Sequence, residues 1–392
     1  MSTYQDKEWK GVIDALERKH SDMEVNILCS VGSVTNSLVG IQEHKPRYLA
    51  FVMKPEEVDA QTVFNLRDII RAVDSDPYDD AIWGIISGPT AADAKRIASS
   101  NEPKRIVNVV ANTGVDASYC SGEAVGMNDH FKDGESDTSE VFAGAWDRLD
   151  PELVITSSHA SQGNLEMPFS RGNIVPLADG FATCPDLKLI DYRTGQYRAD
   201  APKTETGRKL KSPKNEKVWI AAGNCLIADN LPRFKNTMIM TALGFGKVNQ
   251  FMGYVKTTWF GEIGWNTLGY FHDYRYPLTE SYFFANQNLL RTLPFTEKDS
   301  QEQLGKEWDK SGTVLYADPV QKVKLDGEKI PEWNERALPM GIIFEKAEKG
   351  RKLVKAPKGF EVMVADDFAL VTKWPSPLPE DWRKSLIFEP NR

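Results

Sequence analysis

Between Tyr48 and Val110 the chain alternates short apolar runs with amphipathic ones, and this alternation restricts the fold more than any other feature. Tyr48–Met53, Ala81–Ile86 and Ile106–Val110 are nearly continuous apolar stretches of strand length. Between them, Val63, Leu66, Ile69, Ile70 and Val73 recur at three and four and predict a helix over Val58–Val73, which Asp76-Pro77 ends. Ser87-Gly88-Pro89-Thr90 predicts a turn, and Ala91–Ser99 a second helix with Thr90 as its cap. Strands without polar alternation are buried on both faces. The pattern therefore predicts an α/β fold, a mostly parallel sheet with helices on both faces, which Leu153–Thr156 and Val218–Ala221 extend.

The flanks differ from this centre. Tyr4–Arg18 has helical spacing, and Val25–Val34 reads as a strand. From Asp326 short β-like runs take over, at Pro339–Phe344, Lys352–Lys355, Phe360–Val364 and Phe368–Thr372. The expected division is residues 1–325 as an α/β domain that includes an N-terminal helix within 1–20, and 326–392 as a small β-rich C-terminal appendage. A net charge of −8 argues against a nucleic-acid surface, which needs clustered Lys and Arg. The basic run Arg208–Lys217 reads as an exposed loop. No run approaches the roughly 20 apolar residues of a membrane span. The first twenty residues carry no secretory leader, so the expected location is cytoplasmic if residue 1 is the native start and extracellular if a leader was removed.

Cys29, Cys120, Cys184 and Cys225 contain no C-x-x-C pair, which fits free thiols better than a zinc ribbon or disulfide scaffold. No cofactor is required by any motif. The acidic stretch within Ser121–Glu140 offers Asp129, Asp133, Glu135 and Asp137 either as a calcium site or as a solvated loop, and its spacing is not that of an EF-hand.

Two strand ends carry chemistry. E-L-V-I-T-S-S-H ends on His159 and K-V-W-I-A-A-G-N-C ends on Cys225, in a chain with four cysteines and five histidines. Functional groups of open parallel sheets gather beyond the strands' carboxyl ends. If the two strands are neighbours, a base stands beside a thiol: Cys225 is then the nucleophile and His159 its general base. The backbone N–H groups of Cys225 and of the turn after His159 could hold an oxyanion. The plainer reading is a core cysteine and a surface or capping histidine.

Strand then His, followed some 60 residues later by strand, small residues and Cys, resembles the caspase-like clan of cysteine peptidases, which includes caspases, legumains, clostripains and gingipains. Gly253–Trp265, G-Y-V-K-T-T-W-F-G-E-I-G-W, looks like the gingipain segment that carries a substrate-pocket tryptophan. Gly312–Val323, G-T-V-L-Y-A-D-P-V-Q-K-V, looks like that family's closing strand, which precedes a β-sandwich domain. The resemblance spans about Tyr48 to Leu325 and implies a caspase-like fold and a His-Cys dyad that hydrolyses peptide bonds through a thioacyl intermediate.

It also implies Ala160 and Cys225 as backbone oxyanion donors, Trp259 and Trp265 lining a substrate pocket, and cleavage after Arg or Lys if a carboxylate faces that pocket. Asp229 is the candidate carboxylate, with helix capping as its alternative role. A packed aromatic core is the alternative for the tryptophans. The expected partner is a protein or peptide substrate. Glu152, Asp150 and Asp147 are near His159 in sequence, with none assigned to orient it. Cys29 and Cys184 are rival thiols, expected to be buried or inert. Ala160 stands where the clan has Gly, Asn224 where it has a small residue, and Ala317 where the closing turn has Gly. These departures motivate a second expectation, a catalytically silent caspase-like fold acting as a binding module.

Overall fold

A computed structural model describes residues 3–30, 33–75, 77–100, 104–116, 120–127, 137–168, 172–184, 190–191, 196–197, 206–231, 234–273 and 275–325. Further on it describes the backbone of 342–345, 351–355, 360–364, 368–373 and 387–390. An eight-stranded sheet forms the centre. Its strands in chain order are β1 (Tyr48–Val52), β2 (Ile82–Ile86), β3 (Val109–Ala111), β4 (Ala124–Gly126), β5 (Leu153–Thr156), β10 (Lys217–Ala221), β11 (Val248–Tyr254) and β12 (Thr313–Tyr316). They lie in the order β1-β2-β12-β11-β10-β5-β3-β4.

Every neighbouring pair is parallel except β11 and β12. Because β12 pairs parallel with β2, strands β1, β2 and β12 run opposite to the other five. The apolar runs of the sequence predict burial on both faces, but they carry no sign of this reversal. Its consequence is that the loops following β1 and β2 leave one edge of the sheet, and those following β5 and β10 leave the other.

Helices cover both faces. They are α1 (Lys7–Lys19), α2 (Ala60–Ile70), α3 (Ala91–Ser99), α4 (Ser139–Leu149), α5 (Met238–Leu243), α6 (Glu262–Asp273), α7 (Leu278–Thr292) and α8 (Gln301–Asp309). Thr90 caps α3 as predicted, its hydroxyl accepting the Asp93 N–H at 3.2 Å. Asp6 caps α1, which packs on α3 and buries Trp9 and Val12. At the centre, Trp146, Phe181, Trp219, Phe251 and Tyr316 form a chain of ring contacts. Interlocked rings of this kind contribute beyond their buried area and hold the strand register under the site.

Two expectations fail. Residues 24–30 are not a strand: they have no ladder partner, and Val25, Ile27 and Leu28 are exposed. A run of β-formers without a neighbour has no backbone partner to make it a strand. Second, a four-stranded antiparallel sheet stands mid-chain: β6 (Ala160–Ser161), β7 (Asn164–Glu166), β8 (Asn173–Leu177) and β9 (Gly180–Cys184) in the order β9-β8-β7-β6. It begins on the residue after His159. Antiparallel pairs also occur among Ile342–Glu345, Arg351–Lys355, Phe360–Val364, Phe368–Lys373 and Ile387–Pro390, close to the predicted runs.

Candidate active site

Strands β5 and β10 are adjacent and parallel, with Thr156 opposite Ala221, and the Ala222 N–H continues the ladder to the Thr156 carbonyl at 2.8 Å. His159 and Cys225 therefore leave the same edge, on loops that follow neighbouring strands. Their loops touch. Asn224 Nδ2 donates to the Ser158 carbonyl at 2.9 Å and to Ser158 Oγ at 3.2 Å. From the other side, Asn112 at the end of β3 donates to Ser158 Oγ at 2.8 Å and accepts the Ser157 N–H at 2.7 Å. Gly223 permits the approach, since a Cβ there would stand 2.5 Å from Ser157 Oγ.

The small residues of A-A-G-N-C have a second use. Helix α6 starts against them so closely that a Cβ on Gly264 would fall 2.1 Å from the Ala222 carbonyl oxygen. Beyond the cysteine, Leu226 takes the left-handed conformation, φ 59°, which costs a branched residue about 1–2 kcal/mol. The ladder with Lys256, whose carbonyl accepts the Leu226 N–H at 3.2 Å, holds it there.

Cys225 is half-buried and free. Its Sγ donates to the Thr258 carbonyl at 3.6 Å and accepts the Thr258 N–H at 3.4 Å. Burial pushes the thiol above its ordinary range; the Thr258 N–H pulls it back, and the charge of Asp309 adds to the rise. His159 is exposed. No hydrogen bond joins it to Cys225 among the described residues, and dyad geometry is not evident in this resting arrangement.

Thr258 is itself fixed by Asp309. The buried carboxylate accepts from Thr258 Oγ1 at 2.8 Å, from the Glu262 N–H at 2.9 Å and from the Tyr254 hydroxyl at 3.3 Å. Burial raises its carboxyl while these donors lower it, with a net rise. Neither Thr258 nor Asp309 was legible in the sequence, because the contact joins residues 51 apart and no short motif spans it.

Ala160 lies opposite Leu165 in the β6–β7 pair, and the neighbouring His159 carbonyl accepts the Glu166 N–H at 3.0 Å. That register makes Ala160 the non-hydrogen-bonded member, with its N–H turned away from β7. Trp259 and Trp265 are surface residues, 57% and 42% exposed, so the packed-core alternative does not describe them. Trp259 follows Thr258 directly, and the Trp265 indole nitrogen stands 3.7 Å from where a Gly223 Cβ would be.

Asp229 is buried and engaged. Its Oδ1 accepts the Ala60 N–H at the start of α2 at 3.1 Å, and its Oδ2 accepts from Gln162 Nε2 at 2.6 Å. The three acids near His159 in sequence serve the opposite end of β5. Glu152 accepts from the Val107 and Asn108 N–H groups, Asp150 binds Lys217 at 2.6 Å, and Asp147 binds Arg208. Cys184 is buried as expected, but Cys29 is exposed. Of the candidate calcium ligands, Asp129, Asp133 and Glu135 lie outside the described residues; Asp137 accepts from the Ser139 N–H at 2.8 Å, as a helix-start residue does. No helix of the described residues is long and apolar enough to cross a membrane.

No protein-family model matches the chain, and no curated protein matches it by sequence. Among solved structures, a complex of the pro- and mature domains of RgpB from Porphyromonas gingivalis aligns at a TM-score of 0.50 and 9% identity, over 94% of this chain and 91% of that one. A structure described as a protease aligns at 0.49 and 10% identity, over 93% and 88%. The first likeness is one of fold, and the parallel core with helices on both faces is consistent with a caspase-like architecture.

Proposed function

We propose that the chain is a cysteine endopeptidase of caspase-like fold. The observation that carries this reading is the Asn224 to Ser158 contact, which ties the two loops bearing Cys225 and His159 together beyond adjacent parallel strands. In the reaction, the imidazole of His159 takes the thiol proton as Sγ attacks the peptide carbonyl. The Cys225 and Ala160 N–H groups hold the resulting oxyanion. Collapse expels the amine, which takes the proton from His159, and leaves a thioester. Water, deprotonated by the same imidazole, then releases the acid and the thiol.

His159 is exposed, and catalytic contacts in substrate-free enzymes are commonly loose. Trp259 and Trp265 offer flat surfaces for the residue before the cut bond. Cleavage after Arg or Lys needs a carboxylate there, because an unpaired buried cation costs several kcal/mol. Asp229 could serve only by giving up its bonds to Ala60 and Gln162.

The second reading is a silent member that binds without turnover. It is favoured by the thiol's bonds to Thr258 and its raised proton affinity. Competition between a slow general alkylating agent and time separates the two. A working dyad makes Cys225 react faster than Cys29, and His159→Ala removes the advantage; exposed Cys29 also reacts, so rates rather than stoichiometry decide. Equal rates at both cysteines, with no peptide hydrolysis, would favour the silent reading.

A further inference from the structure

Among the described residues of the candidate site, one buried polar atom has no hydrogen-bond partner, Asn224 Oδ1. Asn224 is 0% exposed, and its Nδ2 faces the Ser158 carbonyl and hydroxyl. A carbonyl oxygen only accepts, so the amide cannot be turned round without setting two oxygens against each other. The acceptor Oδ1 is therefore fixed in orientation, one residue from the proposed nucleophile and on a side chain bonded to the residue before the proposed base. A buried acceptor left open is destabilising.

Resting on the peptidase reading, we propose that Asn224 is the positioning residue for His159. Nδ2 fixes the Ser158 peptide, and with it the Cα of His159. Oδ1 accepts the imidazole N–H when the ring turns toward Cys225. A neutral imidazole has one N–H and one lone pair, so an acceptor on the first nitrogen presents the lone pair of the second to the thiol. The task falls to an amide here because Glu152, Asp150 and Asp147 are committed at the far end of β5. Asn112, which holds the same serine from β3, steadies the loop against the pull of Asn224.

The test is the ring nitrogen spectrum of His159 in the full chain labelled with 15N-histidine, assigned by its loss in His159→Asn, beside the alkylation rate of Cys225. One dominant neutral tautomer is expected in the unsubstituted protein and a mixture in Asn224→Ala, with Cys225 alkylated about 10²-fold more slowly, the loss typical of a misplaced catalytic group. A merely structural Asn224 would lower the melting temperature and leave the tautomer unchanged, which overturns the proposal. A tautomer mixture in the unsubstituted protein overturns it without any variant. If Cys225 reacts no faster with His159 present than in His159→Ala, the dyad fails and this inference with it. If His159→Ala slows the thiol but Asn224→Ala does not, only the inference fails.

Discussion

Two polar clusters, one in each half of the sheet, differ in what stands beside them. Around β1, β2 and β12 the guanidinium of Arg67 is fully buried: Nη1 donates to Asp79 at 3.1 Å and Asn286 at 2.6 Å, and Nη2 donates to the Tyr282 hydroxyl and to both the carbonyl and hydroxyl oxygens of Thr313. Trp83 lies 5.1 Å beneath it. The partners come from α7 (Tyr282 and Asn286), from β12 (Thr313) and from the segment before β2 (Asp79), so the cluster staples the helices α2 and α7 to β12. That cluster leaves two buried donors unmet, Arg67 Nε and Trp83 Nε1, and beyond β3, β5 and β10 the cluster of Asn112, Ser158 and Asn224 leaves one acceptor unmet, Asn224 Oδ1; the second alone of the two stands beside an exposed side chain, His159, and a left-handed backbone, Leu226. The comparison teaches that burial, charge and unmet hydrogen bonds do not by themselves mark a site; on the proposed reading, the exposed side chain next to the second cluster is what separates the two.

The largest effect should come from the open cluster. Cys225→Ala and His159→Ala are expected to lower peptide hydrolysis by several orders of magnitude, while Cys29→Ala and Cys184→Ser leave turnover near the parent value. Turnover of a protein substrate by the four variants measures this. An equal loss at Cys29 would move the nucleophile out of the cluster altogether.

The other cluster should break differently. Arg67→Met leaves the Asp79 carboxylate without one of its cations in the core, and breaking a buried pair in this way costs about 3–5 kcal/mol. Denaturant unfolding should show that loss, with the alkylation rate of Cys225 in the remaining folded protein unaltered. A change in that rate comparable to the change caused by His159→Ala would mean that the two clusters are coupled, and the contrast between them would fall.

How much of this was legible beforehand divides along the same line. The strands that carry His159 and Cys225 were readable because their apolar runs end abruptly on rare residues, and they pair as neighbours in the same direction. Thr90 was readable as a cap because capping is local. The reversal at β11 and β12 was not, because both directions bury the same apolar residues. The bonds of Asp229 to Ala60, 169 residues away, and of Asp309 to Thr258 were hidden for a related reason. A carboxylate's partners are set by which loops meet, and hydrophobic periodicity fixes elements without fixing their meetings. Cys29 is exposed because its apolar neighbours promise a strand that no other strand completes.

The pH dependence of the thiol sharpens the comparison further. The thiolate is the reactive form. Burial first, and the charge of Asp309 with it, push Cys225 up against the pull of the Thr258 N–H. In His159→Ala the alkylation rate should therefore rise with a midpoint above the free-thiol value of about 8.5. A working imidazole must bring the midpoint of the parent protein below that of the variant. Coincident profiles would mean that His159 does not act on the thiol, and the open cluster would then be a binding feature.

The smallest effect expected is at Asp229, which lies between the two clusters in kind. It is buried like Arg67, yet it sits four residues past Cys225 and carries the charge that an Arg or Lys substrate would need. Its bonds argue for the structural role. Asp229→Asn still offers one oxygen, which can serve Ala60, but its new amide faces the donor Nε2 of Gln162, and one of the two must turn away. Losing one such bond costs about 1–3 kcal/mol, read as a lower unfolding midpoint. Fluorogenic peptides that differ only at the residue before the cut, compared on parent and variant, give the second reading. An unchanged preference with reduced stability is the expected outcome and leaves any Arg or Lys pocket to another carboxylate, Glu262 being next along the loop from Trp259. A selective loss of cleavage after Arg and Lys would instead mean that substrate draws Asp229 out of its bonds, and that the site rearranges on binding.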